Sequence, residues 1–216
     1  MSIKYVDVSL IVKHLNHAHD PKVARIRANF FEKENRFFKK HIQNEVVLVA
    51  GCGIGHDSFE LAKYNTRVIG VDILEPLILM ARSLANKKGI KNVQFLMSDI
   101  CTLPSHMADT AVLNMGTIGN FENKKEAIAS LSNAATRVFF DFYPPGERNL
   151  QTRQKMYSQE GWHNVKIVDE TIVSSDGLKS VSIRPEEVSA IARQLNLAVE
   201  FYDICEFAAM AELTRK

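Results

Sequence analysis

Apolar residues fall along this chain in short dense runs separated by stretches of helical spacing. Val46-Val47-Leu48-Val49-Ala50 is unbroken by any polar residue. Such a run suits a parallel strand buried on both faces. Arg67 to Val71 and Val93 to Met97 read as two more strands, and others are expected near 109–114 and 137–142. Between them, helical spacing is expected near 57–64, 75–88 and 123–135. This alternation predicts an α/β domain with a doubly wound parallel sheet.

The flanks follow different patterns. Residues 1–43 read as a helical cover, with Asp20-Pro21 as an N-cap followed by proline in the first helical position. Val23, Ile26, Phe30 and Phe37 then mark one face of the next helix. Val165 to Val173 and Leu178 to Ile183 alternate like a β-hairpin around Ser174-Ser175-Asp176-Gly177. Pro185 opens a helix to about Leu195, and strands near 197–204 and 207–214 follow. The expected division is a cover over 1–43 and a main domain over 44–216 that contains the 165–183 hairpin. In effect this is a single domain.

Composition narrows the picture only modestly. A chain of 216 residues with 46% hydrophobic positions suffices for one well-cored domain with an appendage. A net charge of +2, spread along the chain, gives no polyanion-binding stripe, so nucleic acid is not an expected partner. Neither is a membrane, because no run approaches spanning length. Cys52, Cys101 and Cys205 show no C-x-x-C or metal-type spacing, and a reduced cytoplasmic setting is expected.

Candidate chemistry begins where the first strand ends, at Gly51-Cys52-Gly53-Ile54-Gly55-His56-Asp57. Glycines spaced by two let the backbone turn sharply and approach a ligand, and Asp57 and Ser58 are good helix starters. A dinucleotide fingerprint needs a third small residue, but its two frames place His56 or Ser58 there. Two later strands end in acids, Asp72 and Asp99. Asp72 stands 21 positions after Gly51, about the spacing at which such folds set a carboxylate against ribose hydroxyls. On residues alone, either acid is also suited to capping the helix that follows it.

The G-C-G-x-G turn followed by these two acids resembles the class I S-adenosylmethionine (SAM)-dependent methyltransferases. The resemblance implies a Rossmann-like, mostly parallel seven-stranded sheet with an antiparallel last strand, and SAM as cofactor. It also implies that Ala50, Gly51, Cys52 and Gly53 form the cofactor turn. Asp72 would hold the ribose and Asp99 and Ile100 the adenine, with Ile73 and Ser98 also in the cofactor set. Asn114 and Met115 complete the expected cofactor set beyond the fourth strand. One departure stands out, because the family usually carries an acid two positions before the first glycine and this chain has Val49.

The acceptor is less legible. Asn114-Met115-Gly116-Thr117 replaces the D/N-P-P-Y/F of amino methyltransferases acting on nucleobases or glutamine. Gly116-Thr117-Ile118-Gly119-Asn120-Phe121 resembles the substrate loop of histidine-betaine-forming methyltransferases, which points to a small-molecule acceptor. O- and N-methylation are both open. Methyl transfer from a sulfonium needs alignment more than covalent help, so a missing catalytic dyad does not count against an enzyme. The candidate catalytic groups are His17, His19, Asn120 and Tyr143, with Asn114, Tyr5, His14 and Arg25 near the same mouth. His56 is placed to touch the cofactor carboxylate, and His163 beside Trp162 to line a lid or pack the hairpin. No metal is expected: His14 and His17 lie a helical turn apart, but His19 leaves that face. A protein or RNA methyltransferase with this core, and a SAM-binding protein without turnover, remain alternatives.

Overall fold

A computed structural model describes residues 8–216. Tyr5 lies outside them. The chain opens with two helices, α1 (Val8–Ala18) and α2 (Arg25–His41). An alternating block follows: β1 (Val46–Ala50), α3 (His56–Ala62), β2 (Arg67–Asp72), α4 (Glu75–Lys88), β3 (Val93–Met97), β4 (Ala108–Leu113), α5 (Lys124–Ala134) and β5 (Ala135–Phe142). Then come α6 (Glu147–Gln159), three short strands β6 (Lys166–Val168), β7 (Thr171–Val173) and β8 (Lys179–Val181), α7 (Pro185–Gln194), β9 (Leu197–Cys205) and β10 (Ala208–Arg215).

Seven strands form one sheet in the order β3-β2-β1-β4-β5-β10-β9. β1 pairs in parallel with both β2 and β4, whereas β10 runs antiparallel to β5 and β9. The expected doubly wound sheet with an antiparallel last strand is therefore present. Its strand order reverses at β1, and open α/β sheets bind ligands at the carboxyl end of such a switch point. Side-chain alternation divides the core between the two faces. Val47, Val49, Val112 and Phe139 join Phe30, Phe31 and Phe38 of α2 on one face. Leu48, Ala50, Leu113 and Phe140 pack with α5 and α7 residues on the other. Among the described residues no helix is long and apolar enough to cross a membrane.

Three sequence expectations need correction. Asp20-Pro21 makes a turn and does not start the helix: the Asp20 carbonyl accepts from Val23 and Ala24 N–H, and its Oδ1 accepts from Lys22 N–H at 2.9 Å. α2 starts only at Arg25, leaving Val23 40% exposed. The 165–183 segment is a three-stranded sheet, not a hairpin, because Asp169 takes a left-handed turn (φ 52°) that splits its first half into β6 and β7. Helix α6 carried no clear apolar period because its buried stripe of Leu150, Arg153, Met156 and Tyr157 includes a charge. Arg153 is fully buried and donates to Ser182 Oγ at 2.8 Å and to the Ser180 carbonyl and Oγ at 2.7 Å.

Candidate functional site

The carboxyl ends of β1, β2 and β4 meet at the glycine turn. Gly51, Gly53 and Gly55 all have positive φ, and a Cβ on Gly55 would lie 2.8 Å from the Phe95 ring and 2.9 Å from Phe59. The turn therefore needs glycine for both conformation and space. Asp72, 9% exposed, locks it in place: Oδ2 accepts from Gly53 N–H at 2.9 Å and Oδ1 from Leu74 N–H at 3.0 Å. Ser98 N–H donates to the Asp72 carbonyl at 3.0 Å, tying the end of β3 to the end of β2.

A cleft of about 220 Å³ opens beside this turn, lined by Gly51, Asp72, Ile73, Asp99, Ile100, Thr117, Asn120 and Phe121. Five of the expected cofactor residues thus share one wall. Asp99 both caps and lines: its Oδ1 accepts from Cys101 N–H at 2.9 Å, while the residue faces the cleft. Ile73 and Ile100 supply apolar surface suited to a planar base, and the two acids offer acceptors for hydroxyl and amine donors. Ala50 at the end of β1, and Cys52, Gly53, Ser98, Asn114 and Met115 on the adjoining loops, are not part of this wall. Cys52 is buried, which pushes its thiol pKa up. Thr117 and Phe121, which the sequence did not single out for this wall, line the cleft together with Asn120. Their signal was the loop that follows β4, which the sequence tied only to substrate.

A second, buried polar group lies behind the loop after β4. Asn114 Nδ2 donates to Asp57 Oδ2 at 3.2 Å, and both Asp141 carboxylate oxygens accept from Gly116 N–H, at 2.9 and 3.0 Å. Tyr143 packs under Gly116 with 1% of its surface exposed, and its hydroxyl accepts from Arg27 Nη1 at 2.9 Å. Burial pushes the Tyr143 phenol pKa well above its ordinary value. Tyr143 therefore sits in the core, not at the mouth, and is no general base at neutral pH. A Cβ on Gly116, which has φ +64°, would fall 2.3 Å from the Tyr143 ring. Gly116→Ala is expected to cost about 1–3 kcal/mol through strain and overpacking, read as a lower urea midpoint.

Helix α1 closes this region from above. Leu15 Cδ1 would lie 3.3 Å from a Cβ on Gly53, and the His19 ring stacks on His56 with centroids 3.7 Å apart. His14 and His17 both place Nδ1 3.1 Å from the Glu160 carbonyl oxygen, and His14 stacks on Trp162 at 3.7 Å. The histidines therefore fasten the cover. His163 places Nδ1 2.7 Å from Asp176 Oδ2, an oxygen that also lies 4.0 Å from His14 Nε2. Among the described residues no three His, Cys, Asp or Glu side chains are grouped to hold a metal ion. Burial, with His56 and Arg27 nearby, lowers the His19 pKa to about 3. A base that weak does not take a proton from a hydroxyl or an ammonium.

These groups give opposite pH dependences. Burial raises Asp141 from its ordinary 3.8 to about 7, and Glu34 and Asp57 shift the same way. Between those values the folded chain keeps a proton that the unfolded chain has released. The Asp141 contribution is therefore complete below about pH 4 and lost as pH rises through about 7. For His19, folded near 3 against 6.5 unfolded, the contribution is present above 6.5 and lost as pH falls toward 3. Asp141→Asn keeps an acceptor for Gly116 N–H, so thermal scans at pH 5 and pH 8 should show the variant losing less stability at pH 8 than the parent. Equal losses would remove Asp141 from this role.

The residues present fit a SAM-type cofactor, with an acid-lined cleft beside a glycine turn and unpartnered buried acceptors behind it. Known proteins agree. The family described as a methyltransferase domain matches residues 41–144. The S-adenosyl-L-methionine-dependent Diels-Alderase iccD of Talaromyces variabilis is 32% identical over 107 residues, covering 47% of this chain and 34% of that protein. The 23S rRNA (uracil(1939)-C(5))-methyltransferase RlmD of Shewanella sediminis is 40% identical over 57 residues, 26% of this chain and 13% of that one. This chain thus spans about a third of the first relative and less of the second. Among solved structures, magnesium protoporphyrin IX methyltransferase (ChlM) from Synechocystis PCC 6803 with bound SAH shares the fold. Its TM-score is 0.69 at 16% identity, over 96% of this chain and 95% of that one. Residues 41–144 match a methyltransferase domain, and the glycine turn and the two strand-end acids on one cleft lie within that stretch.

Proposed function

We propose that this protein transfers a methyl group from SAM to a small-molecule acceptor, at an oxygen or a nitrogen. The observation that carries the reading is the roof over the glycine turn. α1 lies across Gly53 and His56 and is pinned to the end of α6 at Glu160 and Trp162. A glycine turn covered by the protein's own helix α1 favours an acceptor that is enclosed whole over a folded protein or an RNA strand. The weak net charge supports the same choice.

When bound, SAM supplies a methyl group already activated on a sulfonium. Gly51, Asp72, Ile73, Asp99 and Ile100 would hold its adenosyl part, joined by Thr117, Asn120 and Phe121. The chain's own contribution is then to align the acceptor and exclude water beside the α1-covered glycine turn. No general base is needed for an acceptor that arrives deprotonated. His17, held at the Glu160 carbonyl, and Asn120, exposed at the cleft rim, remain the candidates for positioning one.

Because one relative is named a Diels-Alderase, binding and methyl transfer need separate measurement. The protein would be incubated with methyl-labelled SAM and a cell extract, then fractionated by size and treated with protease and nuclease. Label in the small-molecule fraction is the expected result. Label sedimenting with protein or RNA would replace the acceptor class, and SAH never forming would leave a binding protein.

A further inference from the structure

The buried polar group behind the β4 loop is short of positive charge. Glu34 on α2 is 1% exposed and Asp141 is fully buried, with Asp57 half-buried beside Asn114. The nearby cation, Arg27, is already engaged by Glu160 Oε1 at 2.8 Å and by the Tyr143 hydroxyl. Among the described residues none of the ion pairs includes Glu34, Asp57 or Asp141. Two buried acceptors also lack any partner, Glu34 Oε1 and Asn114 Oδ1. An unmet buried acceptor is costly, and a buried carboxylate without a cation more so. A site in this condition either keeps its protons or is completed by a donor that brings charge.

The position of the deficit suggests what that donor is. Val49 and Val112 lie on the sheet face that α2 covers, in one core with Phe30, Phe31 and Phe38. On α2, Glu34 falls on the same buried stripe as those phenylalanines. β1 therefore presents a valine where the related enzymes carry an acid, and the helix packed over that face presents a carboxylate instead. We propose that Glu34 receives the α-ammonium of the SAM amino-acid end, doing from α2 what an acid at position 49 would do from the strand, with Asn114 Oδ1 as the other unpartnered acceptor of this region. The proposal rests on the SAM reading above. Burial, with Asp141 and Asp57 close by, pushes the Glu34 acid well above its ordinary range in spite of Arg27, which agrees with a site short of positive charge.

The test compares two ligands by calorimetry on the full chain. S-adenosylhomocysteine carries the ammonium, whereas 5′-methylthioadenosine keeps the thioadenosine and lacks the amino-acid end. Glu34→Gln conserves shape and removes the charge. The variant should bind S-adenosylhomocysteine roughly tenfold or more weakly, as for a lost hydrogen bond to a charged group, with methylthioadenosine affinity unchanged. Adding Val49→Glu to Glu34→Gln should restore part of the loss, which a merely structural role for Glu34 would not allow. Equal S-adenosylhomocysteine affinity in parent and variant overturns the assignment and leaves the cofactor reading standing. Equal loss for both ligands, without rescue by Val49→Glu, also overturns it. If the parent binds neither ligand, the cofactor reading fails and this inference falls with it.

Discussion

Replacing Asp72 by Ala is expected to weaken S-adenosylhomocysteine binding by about 3 kcal/mol, roughly a hundredfold, through lost charged hydrogen bonds. The residue acts twice. It lines the cleft as an acceptor, and its two oxygens hold the Gly53 and Leu74 amides that shape the glycine turn. Alanine removes the ligand contact and also leaves buried backbone donors without partners. Calorimetry and a thermal scan on the same sample separate the two effects. A lower melting temperature with unchanged affinity would reduce Asp72 to a brace for the turn. Asp72→Asn should fall between alanine and the parent, since one carbonyl oxygen can still serve one of the two amides.

The second large effect concerns Arg27. Its guanidinium is fully buried, donates to Glu160 Oε1 and to the Tyr143 hydroxyl, and lies 5.4 Å from the centre of the Tyr157 ring. It joins α2 to α6 and to the end of β5. Arg27→Met would leave Glu160, 2% exposed, as an unpaired buried carboxylate, so a loss of about 3–5 kcal/mol is expected in urea unfolding. This is a large share of a typical domain's total stability. The double variant Arg27→Met/Glu160→Gln should recover part of it, because a neutral amide is cheaper to bury than a lone charge. If the double variant were no more stable than the single, the pair would not be the source. α1 rests on the Glu160 carbonyl, so the single variant should also expose the His19–His56 contact to solvent.

Most of the sheet was legible from residues alone. Unbroken apolar runs marked β1, β2 and the later strands, and the glycine turn located the cofactor end, because a buried parallel strand and a left-handed turn each restrict residue type locally. Asp72, Asp99 and their apolar neighbours were likewise readable from spacing. What escaped was whatever depended on charges placed inside. Arg153 in α6, and Arg27 and Glu34 in α2, occupy core positions on their helices. A periodicity search counts such residues as solvent-facing. Their partners are remote in sequence: Glu160 and Tyr143 for Arg27, Ser180 and Ser182 for Arg153.

The sequence by itself determined the strand and helix alternation, the glycine turn and the two strand-end acids. Each is set by local constraints: apolar burial over a few residues, backbone sterics at glycine, and position relative to a strand end. The tertiary structure alone decided that Tyr143 is core, that Asn120 lines the cleft beside the glycine turn and that α1 covers that turn. It also decided that two buried carboxyl groups, Glu34 and Asp141, and the half-buried Asp57 lie near one committed guanidinium. Those outcomes depend on which distant segments meet, and a buried charge is stable or costly only according to the partner that the fold brings to it.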